Sequence, residues 1–206
     1  MKQPGALRNL FWLMGFMVFM AGCTLPSVQP DQASPTPALS PVASPSAPVR
    51  QLKPESALPS SCPAAPIYQG GPSNVFITST IPWVQALPAS SGIMGHLFYA
   101  QTHTAGGTYR FLHTGGSYPG EGVNTKILWT IDHPGILAAL QIDGTNLSDP
   151  GKTFRQTINP TASPVAVSSP DQYPSIVDVP GAGCWRLQIT SGQASGTIIM
   201  WVVDKR

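Results

Sequence analysis

Four histidines, His96, His103, His113 and His133, are the side chains best suited to hold a metal ion. Three of them lie within or beside the segment around Gly106-Gly107, which is typical of a β-hairpin and would bring His103 close to the opposite strand. Neutral imidazole nitrogens are common metal ligands. His96 and His103, however, are seven residues apart and point to opposite faces of a regular strand. We therefore expect no metal or other cofactor, and we keep a metal-binding accessory or enzyme domain as the alternative.

Nucleophilic or acid-base catalysis finds little support in the motifs. Gly115-Gly116-Ser117-Tyr118-Pro119 resembles a nucleophile elbow but has proline in place of the second glycine, and no strand-turn-helix pattern surrounds it. Gly181-Ala182-Gly183 begins like a dinucleotide-binding loop but leads into a predicted strand, so no helix amides would face a phosphate. The acidic residues are scattered among predicted loops. We expect a protein that is not an enzyme.

Exposed aromatic side chains favour binding instead. The glycine-rich segment 114–122 carries Tyr118 and has the composition of an adaptable recognition loop. Trp83, between Pro82 and Pro88, is a second candidate for a surface aromatic. The alternative is that the loop only connects two sheets and that the tryptophan packs beneath it.

The N-terminal segment has the features of a secretory signal peptide, assigned to residues 1–22. Lys2 and Arg8 precede an uncharged apolar run, residues 10–22, which is shorter than the ~20 residues that span a bilayer. Met20-Ala21-Gly22-Cys23 resembles the lipobox of bacterial lipoproteins. This resemblance implies a diacylglyceryl group, with palmitate-type chains, on the sulfur of Cys23. Several acyl chains hold a protein stably on a membrane, so we expect an anchored protein on the extracytoplasmic face of the cell membrane.

Residues 23–61 are predicted to be a disordered linker that follows the lipidated cysteine. Proline, serine and alanine dominate the segment, and it shows no apolar periodicity. We expect it to act as a tether between the lipid and a folded domain at residues 62–206.

The remaining cysteines, Cys62 and Cys184, would both lie on the exported side of the membrane. Disulfides persist in that compartment, so we predict that the two pair. The bond would join the start of the domain to its penultimate strand.

Residues 62–206 are predicted to be all-β, because short runs of Val, Ile, Thr and aromatic residues alternate with turn residues. Turns are predicted at Gly106-Gly107, at Asp143-Gly144 and at residues 191–194. About eight or nine strands of this kind indicate an antiparallel β-sandwich, and a small barrel is the alternative closure. The predicted strands are 75–80, 95–103, 108–113, 126–131, 137–142, 153–158, 175–179, 183–190 and 196–203.

The stretch from Tyr173 to Gly192 (YPSIVDVPGAGCWRLQITSG) resembles the closing strands of uncharacterised bacterial surface lipoproteins. In that group the segment enters the penultimate strand of an immunoglobulin-like β-sandwich, and residues 95–98 and 126–129 are similar to its earlier strands. The resemblance implies the fold and no activity, because fold does not determine function.

Composition limits the partners. Only 10% of the 206 residues are charged and the net charge is +2, which excludes the basic surface of a nucleic-acid-binding protein. We therefore expect a membrane-anchored binding or structural module of the cell envelope, whose partner is a protein, a glycan or a small solute.

Overall fold

A computed structural model describes residues 47–71, 79–100, 106–116, 125–132, 138–160 and 170–204. These residues form an all-β structure, as predicted, with 3-10 turns at Ala89–Ser91 and at residues 98–100. None of them forms a helix that is long and apolar enough to cross a membrane. The strands are β1 (Ala47–Gln51), β2 (Lys53–Pro54), β3 (Ile67–Gly71), β4 (Trp83–Gln85), β5 (Ile93–Leu97), β6 (Thr108–Tyr109), β7 (Leu112–His113), β8 (Lys126–Ile131), β9 (Leu140–Asn146), β10 (Thr153–Ile158), β11 (Asp171–Ile176), β12 (Gly183–Ser191) and β13 (Ala194–Val203).

The strands form two main sheets. The six-stranded sheet has the order β1-β3-β4-β5-β8-β11, and every neighbouring pair is antiparallel. The five-stranded sheet has the order β10-β9-β12-β13-β7, antiparallel except where the short β7 joins β13 in parallel. The two-residue strands β2 and β6 form a small parallel pair.

Both main sheets contribute to one apolar core. Residues that alternate along each strand point into it, and the largest of them, Trp129 on β8 and Trp185 on β12, are fully buried. Their indole N–H groups are satisfied: Trp129 donates to Ser175 Oγ at 3.1 Å and Trp185 to the carbonyl oxygen of Gly181 at 2.8 Å. A side chain at Gly95 would place its Cβ 2.7 Å from the Trp129 ring, so this position of β5 has to be glycine.

The long strand β13 is covered along its second edge by three separate segments. Leu87 exchanges two backbone hydrogen bonds with Thr197, at 2.9 and 2.8 Å, and the amide of Ala65 donates to the carbonyl oxygen of Ile199 at 2.8 Å. The strand β7 pairs with Val202 and Val203. Both edges of β13 are therefore hydrogen-bonded, one to β12 and the other to these three segments.

The predicted pairing of Cys62 with Cys184 is confirmed, with 5.5 Å between their Cα atoms. The predicted boundary between linker and domain at residue 62 is wrong, because β1 and β2 lie within residues 47–61 and Leu52 is buried in the core. Proline and serine dominate this segment, but Arg50 fixes it to the sheet by donating from Nη2 to Gln69 Oε1 at 2.6 Å. The folded part of the chain therefore includes residues that the sequence assigns to the linker.

Two of the three predicted turns differ from the structure. Asp143 and Gly144 lie inside β9, where Gly144 leaves room for the Phe154 ring, so the connection to β10 falls at residues 147–152 instead. Among the described residues no hairpin pairing occurs around Gly106-Gly107: β5 pairs with β4 and β8, while β6 pairs with β2. The turn at residues 191–194 does join β12 to β13 as predicted.

The strand predictions also vary in accuracy. Those for 126–131 and 153–158 coincide with β8 and β10, whereas 175–179 overlaps only the end of β11. Of the strand predicted at 75–80, residues 75–78 lie outside the described residues and 79–80 form a turn. The structure also has more strands than the eight or nine expected, since several contain only two residues.

We predict that the disulfide is a main source of stability. It closes a loop with a sequence separation of 122 residues, and in the chain-entropy model a loop of that length stabilises a fold by about 4–5 kcal/mol. Thermal unfolding of Cys62→Ala should therefore show a much lower midpoint than that of the unmodified protein under oxidising conditions. In excess reductant the two midpoints should coincide; a difference that persists in reductant would contradict this account.

Two buried tyrosines should respond differently to loss of the hydroxyl group. Tyr173 donates to the carbonyl oxygen of Ala138 at 2.8 Å and lies 3.0 Å from Ser191 Oγ, whereas the buried hydroxyl of Tyr99 has no partner in the structure. Tyr173→Phe should cost about 1 kcal/mol of unfolding free energy, measured by urea denaturation. Tyr99→Phe should leave stability unchanged or raise it. A larger loss for Tyr99→Phe than for Tyr173→Phe would be the contrary result.

Candidate functional site

Two of the side chains singled out from the sequence, Trp83 and His96, are direct neighbours in the structure. The antiparallel register of β4 and β5 places them opposite each other. Their neighbours in the chain, Val84 and Gly95, point into the core, so both side chains lie on the outer face of the six-stranded sheet. Trp83 thus belongs to a strand rather than to a loop.

The same register extends this pair into a row across the whole sheet. Each of the six strands contributes one residue, and we call this set the outer row: Gln51, Tyr68, Trp83, His96, Leu128 and Pro174. With strands ~4.8 Å apart, five spacings make the row about 24 Å long. Its middle members, His96 and Leu128, are buried, so the exposed part of the row lies toward its two ends.

The aromatic end of the outer row is held in place by its own contacts. The rings of Tyr68 and Trp83 pack with their centroids 4.9 Å apart and their planes tilted by 32°. The indole N–H of Trp83 donates to the carbonyl oxygen of Gly70 at 3.0 Å. Both side chains are only half-buried. Two fixed aromatic rings therefore remain partly available to a binding partner.

His96, in the middle of the row, is buried and uncharged at neutral pH. Its exposed fraction is 7%, and burial lowers the pKa of the imidazole to about 4. The Nε2 atom lies 3.2 Å from Thr130 Oγ1, while the buried Nδ1 atom has no hydrogen-bond partner in the structure. This histidine thus behaves as a packed neutral side chain of the face.

The flanking residues add amide groups and little charge. Two rows flank the outer row on the same face of the sheet. The row on one side consists of Gln85, Met94, Thr130 and Gln172, and the row on the other side consists of Ile81, Phe98, Lys126 and Ile176. Gln85 Nε2 donates to the carbonyl oxygen of Ile93 at 2.8 Å. Within these rows only Lys126 carries a formal charge, and its Nζ lies 5.1 Å from the centroid of the Phe98 ring.

A second, small apolar cluster builds up the same face. Ile81, just before β4, packs with Leu128 and with the partly buried Phe98. The segment that contains Ile81 is fixed to the sheet by two hydrogen bonds. Gln69 Nε2 donates to the carbonyl oxygen of Thr80, and the amide of Gly70 donates to that of Ser79. The apolar character of the face therefore extends beyond the two aromatic rings.

The outer face of the five-stranded sheet is more polar. Most of its rows consist of hydroxyl, amide and charged side chains, among them Gln141, Asp143, Arg155, Gln188 and Thr197, whereas Ile199 and Trp201 on β13 give it one apolar end. Arg155 donates a side-chain hydrogen bond to Asp143 and thereby lowers the pKa of that carboxyl group. An exposed sheet face in a soluble protein is normally polar in this way. The six-stranded sheet departs from that pattern.

Of the remaining predicted candidates for binding or metal ligation, the structure describes His113, which lies on β7, in the other sheet. Cys23, His103, Tyr118 and His133 lie outside the described residues. Among the residues that the structure describes, no three His, Cys, Asp or Glu side chains are placed to hold a metal ion.

Sequence reasoning missed most of the outer row. Tyr68 lies on β3, which was not among the predicted strands, and Pro174 lies just before the predicted strand 175–179. Leu128 lies in the predicted strand 126–131, whose partner strands were not predicted. The alternation in Trp83-Val84-Gln85 was the available signal for β4, but three residues are too few to identify a strand from periodicity.

A wide depression over β9 and β10, lined by Asp143, Phe154 and Arg155 among others, is largely open to solvent. An internal cavity is a further candidate binding site. It lies beneath the segment that carries Ala64 and Ala65 and is lined by aromatic residues, among them Tyr99, Tyr109 and Trp201. It has room for about one water molecule, which is far too small for an organic ligand. The outer face of the six-stranded sheet therefore remains the better candidate.

No family model, curated protein or solved structure matches this chain. The outer face is accordingly interpreted from its own residues and geometry.

Burial of His96 should make stability depend on pH. Its pKa of about 4 in the folded state lies below the unfolded value of about 6.5, so only the unfolded chain binds the proton between these values. The free energy of unfolding should fall as the pH decreases from about 6.5 to about 4, and His96 should account for about 3 kcal/mol of this loss.

Chemical denaturation at several pH values, compared with that of His96→Gln, measures this contribution. Carboxyl groups contribute equally to both proteins, so the difference between the two curves isolates the histidine. His96→Gln should show the shallower dependence over this window. Parallel curves would show that the imidazole has the same pKa in the folded and unfolded states, which would contradict the prediction.

Proposed function

We propose that this protein is a lipid-anchored, extracytoplasmic binding module of the cell envelope and that it is not an enzyme. Cys23 carries the lipid, and the following Pro-rich segment separates the membrane from the folded domain. That domain is an immunoglobulin-like β-sandwich that binds its partner through the outer row and the residues flanking it.

Two features support the fold and the location. Two largely antiparallel sheets share one apolar core, which is the arrangement of a β-sandwich. The Cys62–Cys184 disulfide fits an exported protein, because such bonds persist in oxidising compartments. The disulfide joins the start of the domain to β12, so the relation to immunoglobulin domains concerns the architecture alone.

The contrast between the two outer faces carries the proposal of binding. The five-stranded sheet presents mainly polar side chains, with Ile199 and Trp201 at one end, whereas the six-stranded sheet presents the partly exposed Tyr68, Trp83, Met94 and Phe98 around a buried neutral histidine. A contiguous apolar surface on a folded protein usually marks an interaction site. Half-exposed tyrosine and tryptophan are the side chains most enriched at such sites.

Fractionation of cells and envelope-binding assays test the two parts of the proposal. Cys23→Ser should move the protein from the membrane fraction to the soluble fraction, since the lipid is its anchor. Full-length protein in detergent should bind purified envelope fragments, and Trp83→Ala should weaken that binding about tenfold, the effect of losing ~1.4 kcal/mol of contact.

Trp201→Ala is the matched control. Trp201 is also a half-buried tryptophan on a strand, but it lies in the five-stranded sheet, away from the outer row. Both variants should be checked for their thermal midpoints, so that a loss of folding is recognised. Equal binding by the Trp83 and Trp201 variants would count against the outer row as the site.

A further inference from the structure

We infer that the aromatic end of the outer row docks on the surface of the bilayer that holds the lipid anchor of this protein. The docking surface, which we call the docking end, consists of Val49, Tyr68 and Trp83. The inference rests on the proposed function, which places the lipid on Cys23, and it names lipid headgroups as the partner of this end of the row. Three properties lead to it: the exposure of the docking end, its position beside the start of the folded chain, and the charge around it.

The side chains of the docking end adjoin one another and keep free surface. Tyr68 and Trp83 are half-buried, and Val49 on β1 is 54% exposed. The Trp83 indole donates to the carbonyl oxygen of Gly70, and a side chain on Gly70 would collide with the carbonyl oxygen of Pro48. The backbone of β1 therefore lies directly against the part of β3 that holds the tryptophan.

The described part of the domain begins at this end of the sheet. β1 is the edge strand next to β3 and starts at Ala47, so residues 24–46 separate it from Cys23. At ~3.1 Å per residue these 23 residues reach at most about 70 Å even when fully extended. A tether of that length keeps the docking end at a high effective concentration beside the bilayer. Even a weak affinity for lipid is therefore sufficient for docking.

The side chains of the docking end suit the interfacial layer of a bilayer. Tryptophan and tyrosine are enriched at the level of the headgroups, because each combines an apolar ring with a polar group. The indole N–H of Trp83 already has its acceptor in the carbonyl oxygen of Gly70, at 3.0 Å. The ring can therefore enter the headgroup layer without losing a hydrogen bond, and Val49 adds an apolar side chain beside it.

The charges near the docking end favour an anionic lipid surface. The charged side chains of residues 47–100 are Arg50, Lys53 and Glu55, so positive charge predominates around β1 and β2. Asp171 lies on β11, at the opposite edge of the six-stranded sheet. Lysine and arginine side chains close to a membrane are attracted to anionic headgroups. The edge at which the tether begins is thus the edge that such a surface attracts.

Fluorescence quenching by brominated lipids tests the contact. The mature lipoprotein, purified from its own membrane, is reconstituted in vesicles of phosphatidylcholine and phosphatidylglycerol whose acyl chains carry bromine near the headgroup. Its fluorescence is compared with that in unbrominated vesicles. Trp12 leaves with the signal peptide, and Trp129 and Trp185 are fully buried, so Trp83 and Trp201 report on the surface.

Each surface tryptophan is measured by difference between the unmodified protein and its phenylalanine variant. The fluorescence that Trp83→Phe removes should fall at least twofold in brominated vesicles, because the docked ring lies within reach of the bromine atoms. The fluorescence that Trp201→Phe removes should be the same in both kinds of vesicle, since Trp201 lies in the five-stranded sheet.

Val49→Glu and Leu87→Glu form a matched pair of variants. Each places a carboxylate at an exposed apolar position, since Val49 is 54% and Leu87 is 66% exposed, so both variants should keep the thermal midpoint. Leu87 pairs with Thr197 of the five-stranded sheet, away from the docking end. Val49→Glu should reduce the quenching of Trp83 severalfold, because the anionic surface repels the new charge, and Leu87→Glu should leave it unchanged.

Equal fluorescence of Trp83 in brominated and unbrominated vesicles would overturn the docking, as would quenching that is as strong in Val49→Glu as in Leu87→Glu. If binding to envelope fragments persists in that case, the proposed function stands and its partner is not lipid. A mature protein without lipid on Cys23 would overturn both the docking and the proposed anchoring.

Discussion

The two-residue period of the β-strand couples the core of this protein to its outer surface. Val84, Gly95 and Trp129 have to point inward for the two sheets to share one core, and Gly95 has to be glycine because the Trp129 ring occupies the space of a side chain. Trp83, His96 and Leu128 are therefore forced outward and into register with one another. A slip of one residue in any of these strands would exchange the two sets, so the stability of the core also maintains the outer row.

The disulfide contributes to the same architecture from the other sheet. Cys62 begins a short segment whose Ala65 amide bonds to β13, and the chain then enters β3 with Ile67 and Tyr68. The bond to Cys184 fixes this segment to β12. The aromatic end of the outer row thus starts six residues after a covalent link to the opposite sheet. The disulfide and the Ala65 hydrogen bond therefore hold the short strand β3 in position, even though the segment before it is rich in proline.

Sequence reasoning succeeded where local chemistry decides the structure. The predicted strand 183–190 lies within β12, and the turn at residues 191–194 followed from its glycine. Sequence reasoning failed where pairing between segments distant in the chain determines the structure. Asp143-Gly144 has the composition of a turn, yet packing of Phe154 against Gly144 keeps it in a strand. Trp83 and His96 were each identified for a different reason, and only the register of β4 with β5 showed that they belong to one surface.

The central claim is that the outer face of the six-stranded sheet is occupied in the intact envelope. Hydroxyl-radical footprinting with mass spectrometry measures this directly, because it reports the solvent accessibility of aromatic and methionine side chains in place. Trp83, Tyr68 and Met94 should be oxidised more slowly on envelope fragments than in the isolated protein, while Trp201 should react equally in both. Equal oxidation of Trp83 and Met94 in the two states would contradict the claim.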